Sequence, residues 1–288
     1  MWNQIAAHIS QVTGQSFTGT YRRPVGGGSI NQACAFADDD RAYFVKTNQA
    51  SQVAMFEAEA LGLRQIADTQ TIRVPRPICW GTASSSAYVV LEWLDLGYGD
   101  HQAWEAMGQN LAAMHRVMSD RGFGWQQNNT IGSTPQLNPW TEGWTEFFVE
   151  HRLGYQFRLA KRRGGHFPAQ DRLLESVPTI LAGYEPQPSL VHGDLWSGNA
   201  AVTKTGEPVI LDPAVYFGDR EVDIAMTQLF SGFPADFYSA YNDAFPLEPG
   251  FSRRKTLYNL YHILNHFNLF GSGYESQANQ MIHELVSG

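Results

Sequence analysis

The chain has 288 residues, 43% of them hydrophobic, and a formal net charge of −8 with a pI near 5.5. That length can hold a sizeable core or two lobes, the composition excludes long disorder, and the acidic balance excludes any global pull toward nucleic acid or an anionic membrane. Two cysteines, Cys34 and Cys79, make no disulfide framework, no basic and apolar leader opens the chain, and no run nears the roughly 18 apolar residues of a membrane span, so a cytoplasmic protein is expected.

A short helix is expected over 3–13. Strands follow over 17–25, 32–37 and 42–47, separated by Gly26-Gly-Gly28 and Asp38-Asp-Asp40. Residues 51–67 read as a helix, because Val53, Phe56, Ala60 and Leu63 fall on one stripe. Two more strands are expected over 78–81 and 87–92. After Gly97-Tyr-Gly99 the pattern turns to long helices, near 101–118, 140–163, 169–182, 219–230, 234–244, 252–270 and 274–287. Two short strands, 200–203 and 208–211, lie around Gly206. The basic run Arg158-Leu-Ala-Lys-Arg-Arg163 reads as a solvated helix end. The division is expected near residue 95, with a small β-rich part over 1–95 and a larger helical part over 96–288.

The most informative stretch is Leu190-Val-His-Gly-Asp-Leu-Trp-Ser-Gly-Asn199, followed by Val209-Ile-Leu-Asp-Pro213. Asp194 is followed five residues later by Asn199, and Asp212 ends a short apolar run. Protein kinases use that spacing to hold a base and two magnesium ions. Asp194 is the candidate base for an acceptor hydroxyl. Asn199 and Asp212 offer the hard oxygen ligands that Mg²⁺ prefers. His192 is expected to support the loop by hydrogen bonding. Asp219 and Asp223 read as structural, the first as a helix cap and the second as a brace behind the loop.

The other half of such a site is also present. Gly26, Gly27, Gly28 and Ser29 lie between two expected strands, where glycine lets backbone amides approach phosphate; alone they would signal only a turn. Lys46 sits on a strand between apolar neighbours, facing inward only if something neutralises it. Glu59 shares a helix face with Met55, Leu63 and Ile66, while Glu57 shares one with Arg64 and is expected at the surface. Kinases pair such a lysine and glutamate beside the α- and β-phosphates of ATP. Glu92, Trp93 and Leu94 end a strand at the expected boundary, where backbone groups would meet adenine. The fold expected is α+β, two-lobed and protein kinase-like: a small antiparallel-sheet lobe with one main helix that binds nucleotide, and a mostly helical lobe that binds acceptor.

The run His-Gly-Asp-Leu-Trp-Ser-Gly-Asn over 192–199 resembles the catalytic loop of the fructosamine kinases, or ketosamine-3-kinases. Gly-Gly-Gly-Ser-Ile-Asn at 26–31, Trp-Thr-Glu-Phe-Phe-Val-Glu-His-Arg-Leu at 144–153, Ser-Gly-Phe-Pro at 231–234 and Leu-Asn-His-Phe-Asn-Leu-Phe-Gly at 264–271 agree with it. The resemblance implies an ATP- and Mg²⁺-dependent kinase acting on the 3-hydroxyl of ribulosamine, erythrulosamine or fructosamine adducts, on small amines or protein lysines. Phosphorylation would destabilise the adduct and restore the amine. Many members carry a cysteine in the glycine-rich loop; Ser29 stands there in this chain, so a thiol switch is not expected, and a monomer or homodimer would rest on other contacts. Trp196 reads as a sugar-stacking or loop-packing residue, and His266 is a candidate acceptor contact by family analogy. Trp140, Trp144, Phe147 and Phe148 show helical spacing and are expected in the core. His262 and His266 have the spacing of zinc ligands without a third partner and read as a packed pair. The alternative is a related small-molecule kinase for an aminoglycoside, choline-like or other hydroxy-amine acceptor.

Overall fold

The computed structural model describes residues 1–26 and 30–287, so Gly27, Gly28 and Ser29 of the expected phosphate loop lie outside the described residues. The described chain forms two units: Met1–Trp104 with Gly198–Pro213, and Glu105–Ser197 with the chain from Ala214 onward.

In the first unit, helix α1 (Trp2–Thr13) stops at Gly14, which takes the left-handed φ of 69° that ends many helices. Strands β1 (Tyr21–Pro24), β2 (Gln32–Ala37), β3 (Ala42–Gln49), β4 (Pro77–Ala83) and β5 (Ser86–Glu92) form an antiparallel sheet in the order β1-β2-β3-β5-β4. Ile5, Ile9, Phe17, Phe36, Tyr43, Val45, Tyr88 and Val90 build a core between α1 and one sheet face. Strand alternation then sends Lys46 to the opposite face. There helix α2 (Val53–Asp68) packs on β4 and β5 and buries Met55, Phe56, Glu59, Ala60, Leu63 and Ile66.

The returning segment 198–213 adds a hairpin to this unit. Its strands, Ala200–Thr203 and Pro208–Ile210, pair antiparallel, and strand β6 (Leu96–Gly97) pairs with the first of them. Val209 bridges Arg73, and the Ile210 amide donates to the Arg73 carbonyl at 3.0 Å. The hairpin is therefore stitched to the loop between α2 and β4.

The second unit is mainly helical. Its longest helix, Phe251–Phe270, is buried continuously from Leu257 to Asn265 and packs against the helices Glu221–Thr227, Tyr155–Arg162 and Glu275–Ser287. The expected helix over 140–163 begins later and changes pitch. Trp144–Phe148 is α-helical, Val149–Gly154 makes a π turn, and Tyr155–Arg162 resumes the α-helix. A Cβ on Gly154 would lie 2.8 Å from the Val149 carbonyl oxygen, so the wide turn requires glycine there. Trp144, Phe147 and Phe148 are core residues. Trp140 precedes the helix, half-buried, with its ring under Arg121 and beside Phe217. The basic run ends that helix in solvent. Two short pairings had no signal in the sequence: Asn129–Ile131 with Thr134–Gln136, and Ser189–Val191 with Tyr216–Gly218.

Arg254 grips Glu221 through two parallel bonds of 2.6 and 2.9 Å, both side chains buried, and so fixes the Glu221–Thr227 helix to the long helix. Removing one partner leaves the other charge buried alone. Arg254→Met is expected to cost about 3–5 kcal/mol in a denaturant melt, and the double replacement with Glu221→Leu to recover much of that loss.

Candidate functional site

The first unit gathers two carboxylates around one ammonium. Lys46 on β3 donates to Glu59 Oε1 on α2 at 2.8 Å and to Asp212 Oδ1 at 2.6 Å. Lys46 and Glu59 are each 8% exposed, whereas the Asp212 side chain is 56% exposed. Burial pulls the Lys46 pKa down, but Asp212 and Glu59 more than offset it and hold it above the ordinary lysine value. Burial pushes the Glu59 carboxyl up, and Lys46 works against that rise. One ammonium between two carboxylates leaves excess negative charge, and the exposed Asp212 oxygens carry it outward.

The hairpin sets where the proposed metal ligands emerge. Ala200 pairs with Ile210, and the Leu211 amide donates to the Asn199 carbonyl at 2.8 Å. Asn199 and Asp212 therefore leave the same end of the hairpin, flanking one strand pair. Asp212 holds a φ of 56°, a left-handed value that non-glycine residues seldom adopt and Asp tolerates better than most. Such conformations gather at functional sites. A hard carboxylate that is exposed, and an Asn next to it across a ladder, fit magnesium. Among the described residues no three or more His, Cys, Asp or Glu are grouped so as to hold a metal ion.

The Glu92 and Trp93 side chains are committed elsewhere. Glu92 accepts from Arg73 at 2.5 Å and from the Arg76 amide at 3.1 Å, and Trp93 Nε1 donates to Asp95 at 3.1 Å. Trp93 and Leu94 line a cleft with Arg73 and the hairpin-turn residues Thr203, Lys204 and Thr205, which Lys46 does not reach. Any adenine contact at 92–94 is a matter of backbone groups. Gly26 lies two residues after β1, with open space where a Cβ would point.

In the second unit the loop His192-Gly-Asp194 is fixed from behind. Asp223 Oδ2 accepts the His192 amide at 2.7 Å, and Oδ1 accepts the Gly193 amide at 2.9 Å. The Asp194 amide donates to His192 Nδ1 at 3.2 Å, so His192 shapes the loop as expected. Gly193 has a φ of 82°, and a Cβ there would sit 2.2 Å from the Ala214 carbonyl oxygen. The brace reaches further than the sequence suggested. His115 Nε2 lies 3.0 Å from Asp223 Oδ2, its Nδ1 lies 2.8 Å from the Tyr241 hydroxyl, and Arg220 donates to that hydroxyl at 3.1 Å. Burial pushes the Asp223 carboxyl up, but bonds from His115 and the His192 amide hold it below the usual carboxylate range. Asp219 is expected from the sequence to cap the next helix, but Arg220 is the N-cap there; Asp219 lies one residue earlier and accepts the Glu221 amide at 2.9 Å.

Trp196 is half-buried two residues beyond Asp194, with its ring edge-on to Phe230 at 6.4 Å. Phe230 in turn meets His266 at 5.1 Å. The two acceptor-contact candidates are thus joined through a residue that sequence reading missed, although it directly precedes the Ser231-Gly-Phe-Pro234 run. His266 Nδ1 bonds the His262 carbonyl at 2.8 Å, and burial pushes His262 down to about 3, so both are neutral packed rings. Burial raises the Cys34 thiol and pushes Cys79 up to about 12, which makes neither a ready thiolate.

The family model for fructosamine kinase matches residues 1–288. A candidate ketoamine kinase of Synechocystis is 59% identical over 99% of this chain and 97% of its own length. The chloroplastic protein-ribulosamine 3-kinase of Oryza sativa subsp. japonica is 43% identical over 99% of this chain and 82% of its own. The structure of a candidate fructosamine-3-kinase from Haemophilus somnus superposes with a TM-score of 0.94 at 30% identity, covering 99% of this chain and 97% of that one. An aminoglycoside phosphotransferase, crystallised with AMP-PNP and hygromycin B, shares the fold at 15% identity, with a TM-score of 0.67 over 99% of this chain and 98% of that one.

Asp223→Ala would strand two loop amides and His115 at once. The expected loss is on the order of 3 kcal/mol, read as a lower midpoint in thermal or denaturant unfolding.

Proposed function

The chain belongs to the fructosamine kinase family, and we propose that it is an ATP-dependent kinase that phosphorylates the 3-hydroxyl of ketosamines, leading to deglycation. The observation that carries the reading is Lys46 held between Glu59 and Asp212 in a chain matched by the family from end to end. Relatives named as protein-ribulosamine 3-kinases support a ribulosamine or related ketosamine as acceptor, free or on protein lysines. The aminoglycoside alternative has only distant structures behind it, and those carry the fold alone.

The roles follow from the chemistry of each side chain. Asp194 takes the proton of the acceptor hydroxyl as the phosphoryl group arrives. Asn199 and Asp212 hold Mg²⁺, which neutralises phosphate charge when bound. Lys46, kept cationic by its two carboxylates, neutralises the α- and β-phosphates, and Glu59 holds its ammonium in place. The backbone of 92–94 meets adenine, and phosphate binding is assigned to Gly26 and to Gly27, Gly28 and Ser29, which lie outside the described residues. Trp196 and His266 contact the acceptor. We assign nucleotide binding to residues 1–95 and catalysis and acceptor binding to 96–288. No described helix is long and apolar enough to cross a membrane, and a cytoplasmic location is our proposal.

With ATP, Mg²⁺ and ribulose-lysine, the protein is expected to release ADP and a 3-phosphorylated ketosamine. Asp194→Asn should lower kcat by roughly 10²–10⁴-fold while nucleotide still binds by calorimetry. Lys46→Met should instead raise the KM for ATP as well as lower kcat. Absence of phosphorylation on every ketosamine offered would overturn the reading.

A further inference from the structure

Five rings of the second unit form a strip that starts two residues from Asp194. Beyond the Trp196–Phe230 and Phe230–His266 contacts, His266 meets Phe270 at 5.5 Å and Tyr274 at 5.2 Å. Trp196, Phe230, His266 and Tyr274 are half-buried, and Phe270 is 52% exposed, so ring surface stays open to solvent along the strip. The backbone beside Phe230 is constrained: Ser231 and Gly232 both take left-handed values, φ 67° and 72°. A non-glycine residue held there is the kind of local strain that gathers at ligand sites.

The strip also has a definite electrostatic character. Arginines lie over many rings in this protein, among them Tyr216, Phe245 and Tyr184. Among the described residues, none of these contacts falls on the five rings. Burial holds the His266 imidazole below its ordinary value. With Nδ1 donating to the His262 carbonyl, Nε2 keeps its lone pair. Ring faces are electron-rich, and a strip of them without a resident cation suits a cation brought from outside.

We propose that this strip is the subsite for the amine arm of the acceptor: the cationic secondary amine and the hydrocarbon stem it carries, as on a glycated lysine. The proposal rests on the ketosamine-kinase reading. The amine of a ketosamine is attached at C1, two carbons from the 3-hydroxyl. An acceptor that gives its hydroxyl proton to Asp194 therefore brings its amine to the loop carrying Trp196, and its arm leaves along the neighbouring surface.

The test compares kcat/KM for three acceptors: ribulose on the ε-amine of Nα-acetyl-lysine, ribulose on methylamine, and 1-deoxyribulose, which has no amine. The unmodified enzyme is expected to prefer them in that order. Phe230→Leu, which keeps an apolar side chain, should shrink the preference for the lysine adduct over 1-deoxyribulose by about five- to tenfold. Phe270→Ala, at an exposed position, should shrink the preference for the lysine adduct over the methylamine adduct by a similar factor, mainly through KM. An active enzyme that lacks the preference, or variants that leave both ratios unchanged, would overturn the subsite and leave the kinase standing. An enzyme that phosphorylates neither ketosamine overturns both.

Discussion

The ammonium of Lys46 is the point on which the first unit turns. A lysine buried in a sheet is expensive unless its charge is met, and here it is met twice, from α2 and from the segment after the hairpin. The same bonds explain why α2 keeps a glutamate on its buried face and why the hairpin has to end near β3. One ammonium thus meets two carboxylates, one buried on α2 and one largely exposed after the hairpin.

The loop with Asp194 is governed by a different constraint. Its backbone amides point inward, where water cannot serve them, so a carboxylate must. Asp223 does this for two consecutive amides and is itself steadied by His115, which rests on Tyr241 and through it on Arg220. The loop is thereby held through its main chain by Asp223.

Much of this was legible in the sequence, for reasons that can be stated. Lys46 was readable because it sits among apolar neighbours on a strand and could face inward only beside a neutralising group, and Glu59 because a helical stripe separated it from Glu57. Asp223 was readable as a brace because it falls one turn into a helix that follows the loop. The expected antiparallel sheet with one main helix, and the helical remainder, appear in the structure. What was not legible depends on distance along the chain or on single-residue steps. His115 and Tyr241 lie more than a hundred residues apart and meet only through the fold. The π turn adds one residue to a helix whose apolar spacing still looks regular over 140–163. Strands of two or three residues, such as Leu96–Gly97 and Ser189–Val191, are too short to show a period. Phe230 carries no pattern of its own, and its partners come from the loop and from the long helix.

The first unit is not continuous in sequence. It is completed only by residues 198–213, after most of a hundred residues that belong elsewhere. A ribosome therefore releases β3 and α2 long before Asp212 exists, and during that interval Lys46 has Glu59 as its only carboxylate from the trio. Closing the trio requires a contact spanning 166 positions, the kind of non-local step that slows folding. The first unit thus matures late, as a product of the finished chain, and its earliest-made strands wait for their last partner.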